Sequence, residues 1–582
     1  MSILANIVEA VEAHDRFVDA QADRAGRDGS FAEELRDRWR NIRQAIQTTR
    51  TPTGLEVPRL ALPMENDPVT IARYLFGEGL PGEFPFVNSA YREMYLSAPG
   101  KASEEPTRLF AGLELAEDTN RRFHFIARQQ KHVRLSTAFD GPTLYGMDSD
   151  DPAVFSKIGE GGVAIDTVDD MDRLYRGFAL DDPHFSVSMT INGPAPVLLA
   201  MYVAAARRRF GEDVTPKLRG TVQADVLKEV QAQNEMIFPL EAALRLLGDM
   251  ADFTTKNMPR WYPISISGYH IAEAGATPVQ QGAFTLSNGF TYVELLRQRG
   301  LDVNAFGPRL SFFLDCGLDL EYLALGRVCR KIWAIAMRDV FAADEPAQRF
   351  KLHIQTSGRS LIARAFQNNL TRTATELILA YMNGANSCHS NSADEPFTTP
   401  SEQYVRLAAS SQAVLLEETG LFKFMMNTLA GSPGMKIVEA AVEKQILEEL
   451  RQIDHLGGVL SAIDYRYQRS QIQAAALRYE QQINSGDRPI IGLNRYYDDT
   501  ESVPPMAVMR TSAAKKRKQV RRLQKFKQRH RARALAALDH LSEAVKNGDN
   551  LFAELIRTVE HCSLGQITQR LQAHFGRFRP MV

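Results

Sequence analysis

At 582 residues the chain exceeds one average domain and has room for an elaborated barrel of about 250 to over 400 residues with extensions. Its 69 lysines and arginines balance 70 aspartates and glutamates, so no strong net field draws it to nucleic acid or anionic membrane. The four cysteines, Cys316, Cys329, Cys388 and Cys562, lack CxxC spacing and follow no secretory signal, and the longest apolar stretch, around 194–206, is too short for a membrane helix; a reduced, cytoplasmic protein without disulfides or structural zinc is expected.

Residues 1 to about 50 are charged and helix-forming, and Thr51-Pro52-Thr53-Gly54 breaks the pattern, which predicts a helical or extended arm over 1–80. Residues 85–112 read as a loop able to reach across one mouth of a barrel. Eight short runs, at 134–139, 162–166, 185–190, 220–223, 264–269, 309–313, 352–355 and 387–391, alternate with period 2 and predict strands. Helix-period segments follow nearly every run, for example 197–209 and 318–340. This alternation predicts an α/β fold, a closed (β/α)8 TIM barrel over 81–425 with parallel strands and right-handed crossovers. A helical extension and linker over 426–510 follow, then a basic helical segment over 511–582. There Val520, Leu523 and Phe526 form one apolar stripe beside Lys515, Lys516, Arg517 and Lys518, and the segment reads as a solvated helix docked by that stripe.

One phase of the strand alternation is polar: Ser186, Ser188, Thr190; Thr221, Gln223; Ser265, Ser267; Ser311; His353, Gln355; His389, Asn391. Ordinary barrel interiors carry branched apolar side chains. Burying these hydroxyls and amides under apolar helices would cost about 1 to 3 kcal/mol for each unsatisfied group, so the phase is expected to face inward and line a hydrophilic tunnel for an extended polar ligand. No G-x-x-x-x-G-K-[ST] and no G-x-G-x-x-G after a strand occurs, which argues against nucleotide hydrolysis. His270, His353 and His389, beside Gln355 and Asn391 and without a carboxylate at metal-ligand spacing, point to a polar site without a metal at the strand C-termini.

Ser265 to Gly275 (SISGYHIAEAG), Arg309 to Phe313, His353 to Gly358 and His389 to Glu395, with Ala138-Phe139-Asp140 and Ser186 to Gly193, resemble the large-subunit signature of the adenosylcobalamin-dependent acyl-CoA mutases. The resemblance runs from about residue 55 to the C-terminus. It implies a barrel threaded by the pantetheine arm of coenzyme A and a radical 1,2-shift on the acyl carbon skeleton. By the same resemblance His270 would hydrogen-bond the thioester carbonyl, Gln355, Asn391 and Glu395 would meet the deoxyadenosyl group, and Glu273 would lie near the corrin. Tyr91, Arg108, Ala138, Ser188, Thr190, Thr221, Gln223, Arg309 and Ser311 would line the substrate path.

Methylmalonyl members of that family carry Tyr and Arg where this chain has Phe110 and Gln233. An amide cannot replace a guanidinium fork gripping a carboxylate, so the pair matches the isobutyryl-CoA pattern, an uncharged branched acyl group. Pivalyl-CoA or a bulkier acyl group stays open, because Tyr91 is followed by Arg92 and Glu93 where the family has Tyr-Pro, and extra residues precede Arg108. 2-Hydroxyisobutyryl-CoA is disfavoured, since its mutases carry Ile and Asp at the positions of Phe110 and Ala138. A cobalamin-free acyl-CoA-binding homologue is a further alternative, opposed by the retention of His270, Gln355, Asn391 and Glu395.

The family's cobalt-ligand motif D-x-H-x-x-G is missing. Of the twelve histidines only His184 follows an Asp by two positions, and Val187 stands where Gly belongs. The resemblance therefore implies a separate small corrinoid-binding subunit, a heterotetramer built on a large-subunit dimer, and a G-protein chaperone as a further partner.

Overall fold

The computed structural model describes residues 3–86, 108–128, 130, 132–420, 424–498, 500 and 510–579. Eight strands follow one another in parallel: β1 (Leu109–Ala111), β2 (Val133–Ala138), β3 (Phe185–Thr190), β4 (Gly220–Val222), β5 (Ile264–Ser267, preceded by the short segment Trp261–Tyr262), β6 (Leu310–Cys316), β7 (Leu352–Thr356) and β8 (Ser387–His389). The ladder is continuous within two parallel sheets, β1 to Trp261–Tyr262 and β5 to β8. They meet at two seams. At one, Pro263, which has no N–H to donate, splits β5 from its leading segment, while the Ser265 N–H still reaches Gln223 O at 3.0 Å. At the other, the Arg108 N–H meets Cys388 O at 3.4 Å. This is a (β/α)8 arrangement with an interrupted ladder.

Two features differ from the sequence reading. The run 162–166 is not a strand: Val163 and Ala164 make only isolated bridges, to Phe139 and Leu115. Both faces of this run are buried, so it patterns like a strand while running as a connection over the end of β2. The first barrel strand is Leu109–Ala111, inside the stretch read as a loop; three residues are too few to display a period. Strand ends also shift. β5 stops at Ser267, so Tyr269 and His270 open a short helix, Tyr269–Glu273, and β8 stops at His389, which leaves Asn391 in the following turn. Tyr91 and the loop to residue 107 lie outside the described residues.

The inward phase follows from packing. Along β3, Phe185, Val187 and Met189 are buried against the helix layer while Ser186, Ser188 and Thr190 remain partly open toward the axis. β7 repeats this, with Leu352 and Ile354 buried and His353 and Gln355 partly open. Helix Ile3–Arg27 joins the same apolar core through Leu4, Ile7, Val8 and Val11. The 35-residue helix Ala513–Asn547 buries Leu523 and Phe526, and its cations pair with the barrel: Lys515 with Glu114 and Asp118, Lys516 with Glu160, Arg522 with Glu117 and Lys527 with Asp150. No helix among the described residues is long and apolar enough to cross a membrane.

Candidate active site

A cavity of about 480 Å³ runs along the barrel axis. Its walls carry Ser136, Ser186, Ser188, Thr190, Thr221, Gln223, Ser265, Ser311, His353, Gln355 and His389, the polar phase of the strands. Cations crowd one end. Arg108, Arg219, Arg260, Arg309 and Lys351 stand directly before β1, β4, Trp261–Tyr262, β6 and β7, and Arg134 is the second residue of β2; all six line the cavity. Lys351 Nζ lies 2.6 Å from the Tyr262 hydroxyl and 3.9 Å from its ring centroid. The N-terminal mouth is thus built for a multiply charged anion. Sequence reasoning singled out only Arg108 and Arg309; the signal available for most of the others was a cation immediately ahead of a strand.

The opposite end, at the strand C-termini, holds amides, carboxyls and His270. Tyr269 stacks on Phe313 at 4.8 Å, and its hydroxyl accepts from Gln355 Nε2 at 2.9 Å. Gln355 Nε2 also donates to Asn391 Oδ1 at 2.7 Å, and Asn391 Nδ2 donates to Thr356 O at 2.8 Å. These bonds fix both amides, and Gln355 lines the cavity wall. Glu273 Oε1 accepts from the Gly358 N–H at 2.8 Å and from Ser357 Oγ at 3.2 Å. Asp315 and Glu376 lie buried beneath it, where Asp315 accepts from Tyr322 Oη at 2.7 Å and Glu376 from the Ser357 N–H at 3.2 Å. Burial pushes the carboxyls of Glu273, Asp315 and Glu376 above the usual range. Glu395 is solvent-exposed, yet desolvation by the protein packed around its carboxyl and then the charge of Glu273 push it up to about 7.

His270 Nδ1 lies 2.7 Å from Ser267 Oγ, and its ring meets Tyr269 and Phe313 edge-on. Burial and then the nearby Lys228 charge hold His270 well below the ordinary histidine range, so the ring is neutral near pH 7. His353 is likewise held low, and His389 is lowered to about 4, by burial in both cases. Phe110 packs against His389 with ring centroids 5.1 Å apart.

Gln233 ends a π-helical turn, Glu229–Gln233, that Asn234 terminates in the left-handed region at φ 72°. Such turns recur at functional sites. Gln233 Oε1 accepts from the Lys228 ammonium, which also pairs with Glu229 Oε1 at 2.5 Å; Lys228 and Glu229 are fully buried. Sequence reasoning missed Lys228 because adjacent charges normally read as solvated.

The axial cavity gathers Phe110, Arg108, Ser188, Thr190, Thr221, Gln223, Arg309, Ser311 and Gln355. His270 joins it through Ser267 and Gln223. Ala138 pairs in register with Thr190 at the end of β2. Gln233, Glu273, Asn391 and Glu395 stand outside the cavity wall itself. Among the described residues no group of three His, Cys, Asp or Glu side chains could hold a metal ion.

Fused isobutyryl-CoA mutase of Geobacillus kaustophilus is 44% identical over 559 residues, 91% of this chain and 51% of that protein. The 2-hydroxyisobutanoyl-CoA mutase large subunit of Aquincola tertiaricarbonis is 37% identical over 506 residues, 86% of this chain and 88% of that one. Methylmalonyl-CoA mutase of Escherichia coli K12 is 36% identical over 504 residues, 86% of this chain and 69% of that enzyme. The chain spans about half the length of the fused relatives it matches. With the family model described as methylmalonyl-CoA mutase matching residues 50–577, this chain belongs to the methylmalonyl-CoA mutase family.

Proposed function

We propose that the chain is the substrate-binding and catalytic part of an acyl-CoA mutase that interconverts isobutyryl-CoA and n-butyryl-CoA by a radical 1,2-rearrangement. The observation that carries this reading is the polar axial cavity, cationic at its N-terminal mouth, with His270 joined to its wall residue Gln223 through Ser267. The phosphates of coenzyme A sit among the six cations, pantetheine follows the serines and threonines, and the thioester reaches the C-terminal end. His270 donates a hydrogen bond to the thioester carbonyl and stabilises charge shifting onto that oxygen. Phe110 presents an apolar ring where a carboxylate-bearing acyl group would need a hydroxyl, and Gln233, its carbonyl oxygen held by Lys228, offers no guanidinium fork. Acyl groups without a free carboxylate are therefore favoured.

Adenosylcobalamin fits the C-terminal floor. Gln355 Oε1 and the exposed Glu395 carboxyl are acceptors of the kind an adenosyl ribose needs, and Glu273 and Asn391 flank them. When bound there, the cofactor supplies hydrogen-atom abstraction through homolysis of its Co–C bond. The residues of this chain orient the thioester, seclude it and keep His270 neutral. We further propose that a corrinoid-binding unit outside residues 1–582 would hold the cofactor against this floor, as a small subunit in a heterotetramer around a dimer of this chain, with a G-protein chaperone serving the assembly in the cytoplasm. The relative named as a large subunit supports a separate unit, whereas the relatives named as fused, of which this chain spans about half, favour a joined one.

The test is a panel of acyl-CoA thioesters assayed with this chain, adenosylcobalamin and a corrinoid-binding unit. Interconversion of the butyryl pair is expected, with methylmalonyl-CoA poor. Turnover of pivalyl-CoA but not of the butyryl pair would reassign the substrate, and turnover by this chain and cofactor alone would end the two-unit reading.

A further inference from the structure

Four residues behind His270 form a directional hydrogen-bond series whose first donor is unambiguous. The backbone N–H of Asp225 donates to Asn192 Oδ1 at 3.1 Å, which fixes the Asn192 amide and turns its Nδ2 outward. Asn192 Nδ2 donates to Gln223 Oε1 at 3.1 Å, which fixes the Gln223 amide in turn. Gln223 Nε2 then donates to Ser267 Oγ at 3.3 Å. Ser267 is fully buried, and its single hydroxyl proton needs an acceptor, because a buried donor left unpaired is destabilising. Among the described residues the one acceptor within reach of that hydroxyl is His270 Nδ1, at 2.7 Å.

We propose that Asn192, Gln223 and Ser267 are positioning residues that force His270 into the tautomer with Nδ1 bare and the proton on Nε2, so that Nε2–H is the donor presented to the substrate carbonyl. The inference rests on the mutase reading for what Nε2–H meets, and on the hydrogen-bond series alone for where the proton sits. Asp225 anchors the start: its carboxylate accepts from the Ser267 N–H at 2.7 Å and from the Tyr292 hydroxyl at 2.5 Å, and it is fully buried. The opposite tautomer would place Nδ1–H against an oxygen already accepting from Gln223 and would strand the serine proton. A bare Nε2 would face the carbonyl lone pairs with one of its own, so the choice of tautomer decides between attraction and repulsion at the reacting group.

The experiment is long-range proton–nitrogen correlation on the full chain labelled with ¹⁵N-histidine, with the His270 signals assigned by their loss in His270→Gln. The wild type is expected to show a protonated Nε2 and an unprotonated Nδ1; the reverse overturns the proposal. Gln223→Glu places an acceptor against Ser267, draws its hydroxyl proton away and is expected to flip His270 to Nδ1–H. Should that variant fail to fold, Asn192→Asp serves, because it obliges the Gln223 amide to turn over and produces the same flip. An unchanged His270 tautomer in the folded variant overturns the series. Assembled with its corrinoid unit, the flipped variant is expected to lose about 10²- to 10³-fold in kcat. A wild type with Nε2–H whose His270 signals ignore added acyl-CoA would instead defeat the mutase reading and leave the hydrogen-bond series standing.

Discussion

Lys228 and Glu229 are buried side by side, with Glu229 Oε2 accepting from the Glu235 N–H at 2.8 Å and the Lys228 ammonium reaching Gln233. Removing one member of such a pair strands the other charge. Lys228→Met is therefore expected to cost about 3 to 5 kcal/mol, read as a lower urea midpoint. Adding Glu229→Gln should restore much of that stability yet leave Gln233 unheld, so the double variant should regain its fold and keep a raised KM. Full recovery of both would show that Lys228 has no positioning role. His389 supplies a pH prediction. Its folded-state value falls from 6.5 to about 4, so the native state binds fewer protons than the unfolded state between those limits. Its contribution to stability is complete above 6.5 and is lost as pH falls through that window; His389→Asn should flatten this part of the pH dependence of the denaturation midpoint. His270 was legible as chemistry in the sequence because it sits inside a long recognisable run, and Phe110 because it stands where methylmalonyl members of the family carry Tyr. Lys228 and Asn192 were not, since nothing in a local pattern marks a lysine as fully buried or tells which way an amide faces.

Gly112 shows how the elements close on one another. It follows β1 where that strand meets the end of β2, and a Cβ built there would lie 2.2 Å from Ala138 O and 2.8 Å from Ala138 Cβ. Backbone cannot yield as a flexible side chain can, so Gly112→Ala should wedge β1 from β2 and destabilise the fold by about 1 to 3 kcal/mol. Because Phe110 rides on β1 and Ala138 ends β2, the same wedge should raise KM for acyl-CoA; an unchanged midpoint and KM would show that the strand ends are free to part. Seven of the eight strands were readable because apolar and polar residues alternate over four or more positions. β1 escaped because three residues carry no period, and 162–166 misled because a connection buried on both sides can alternate as a half-buried strand does. The short segment Trp261–Tyr262 and its break at Pro263 were equally invisible, since the sheet partner that defines it lies about forty residues earlier in the chain.

Across the whole molecule the two mouths of the barrel differ in charge. Six cations ring the N-terminal end, whereas Glu273, Asp315, Glu376 and Glu395 gather at the C-terminal end. For the proposed acyl-CoA substrate this gives one favourable orientation, phosphates toward the cations and thioester toward His270. Net charge near zero conceals this, because the asymmetry lies along the axis and cancels in the sum. The division of labour can be measured without cofactor or partner. Lys351 lines the N-terminal mouth and its side chain's described bond and ring contact are to Tyr262, so Lys351→Met removes a proposed phosphate partner and keeps most of the packing. A charge-assisted hydrogen bond of about 1.5 to 3 kcal/mol corresponds to a roughly 10- to 100-fold weaker Kd. Calorimetry with isobutyryl-CoA should show that loss, whereas isobutyryl-pantetheine, which lacks the nucleotide phosphates, should bind the variant and the wild type alike. Equal weakening of both ligands would mean that Lys351 shapes the tunnel rather than grips the phosphates, and the proposed direction of threading would lose its electrostatic basis.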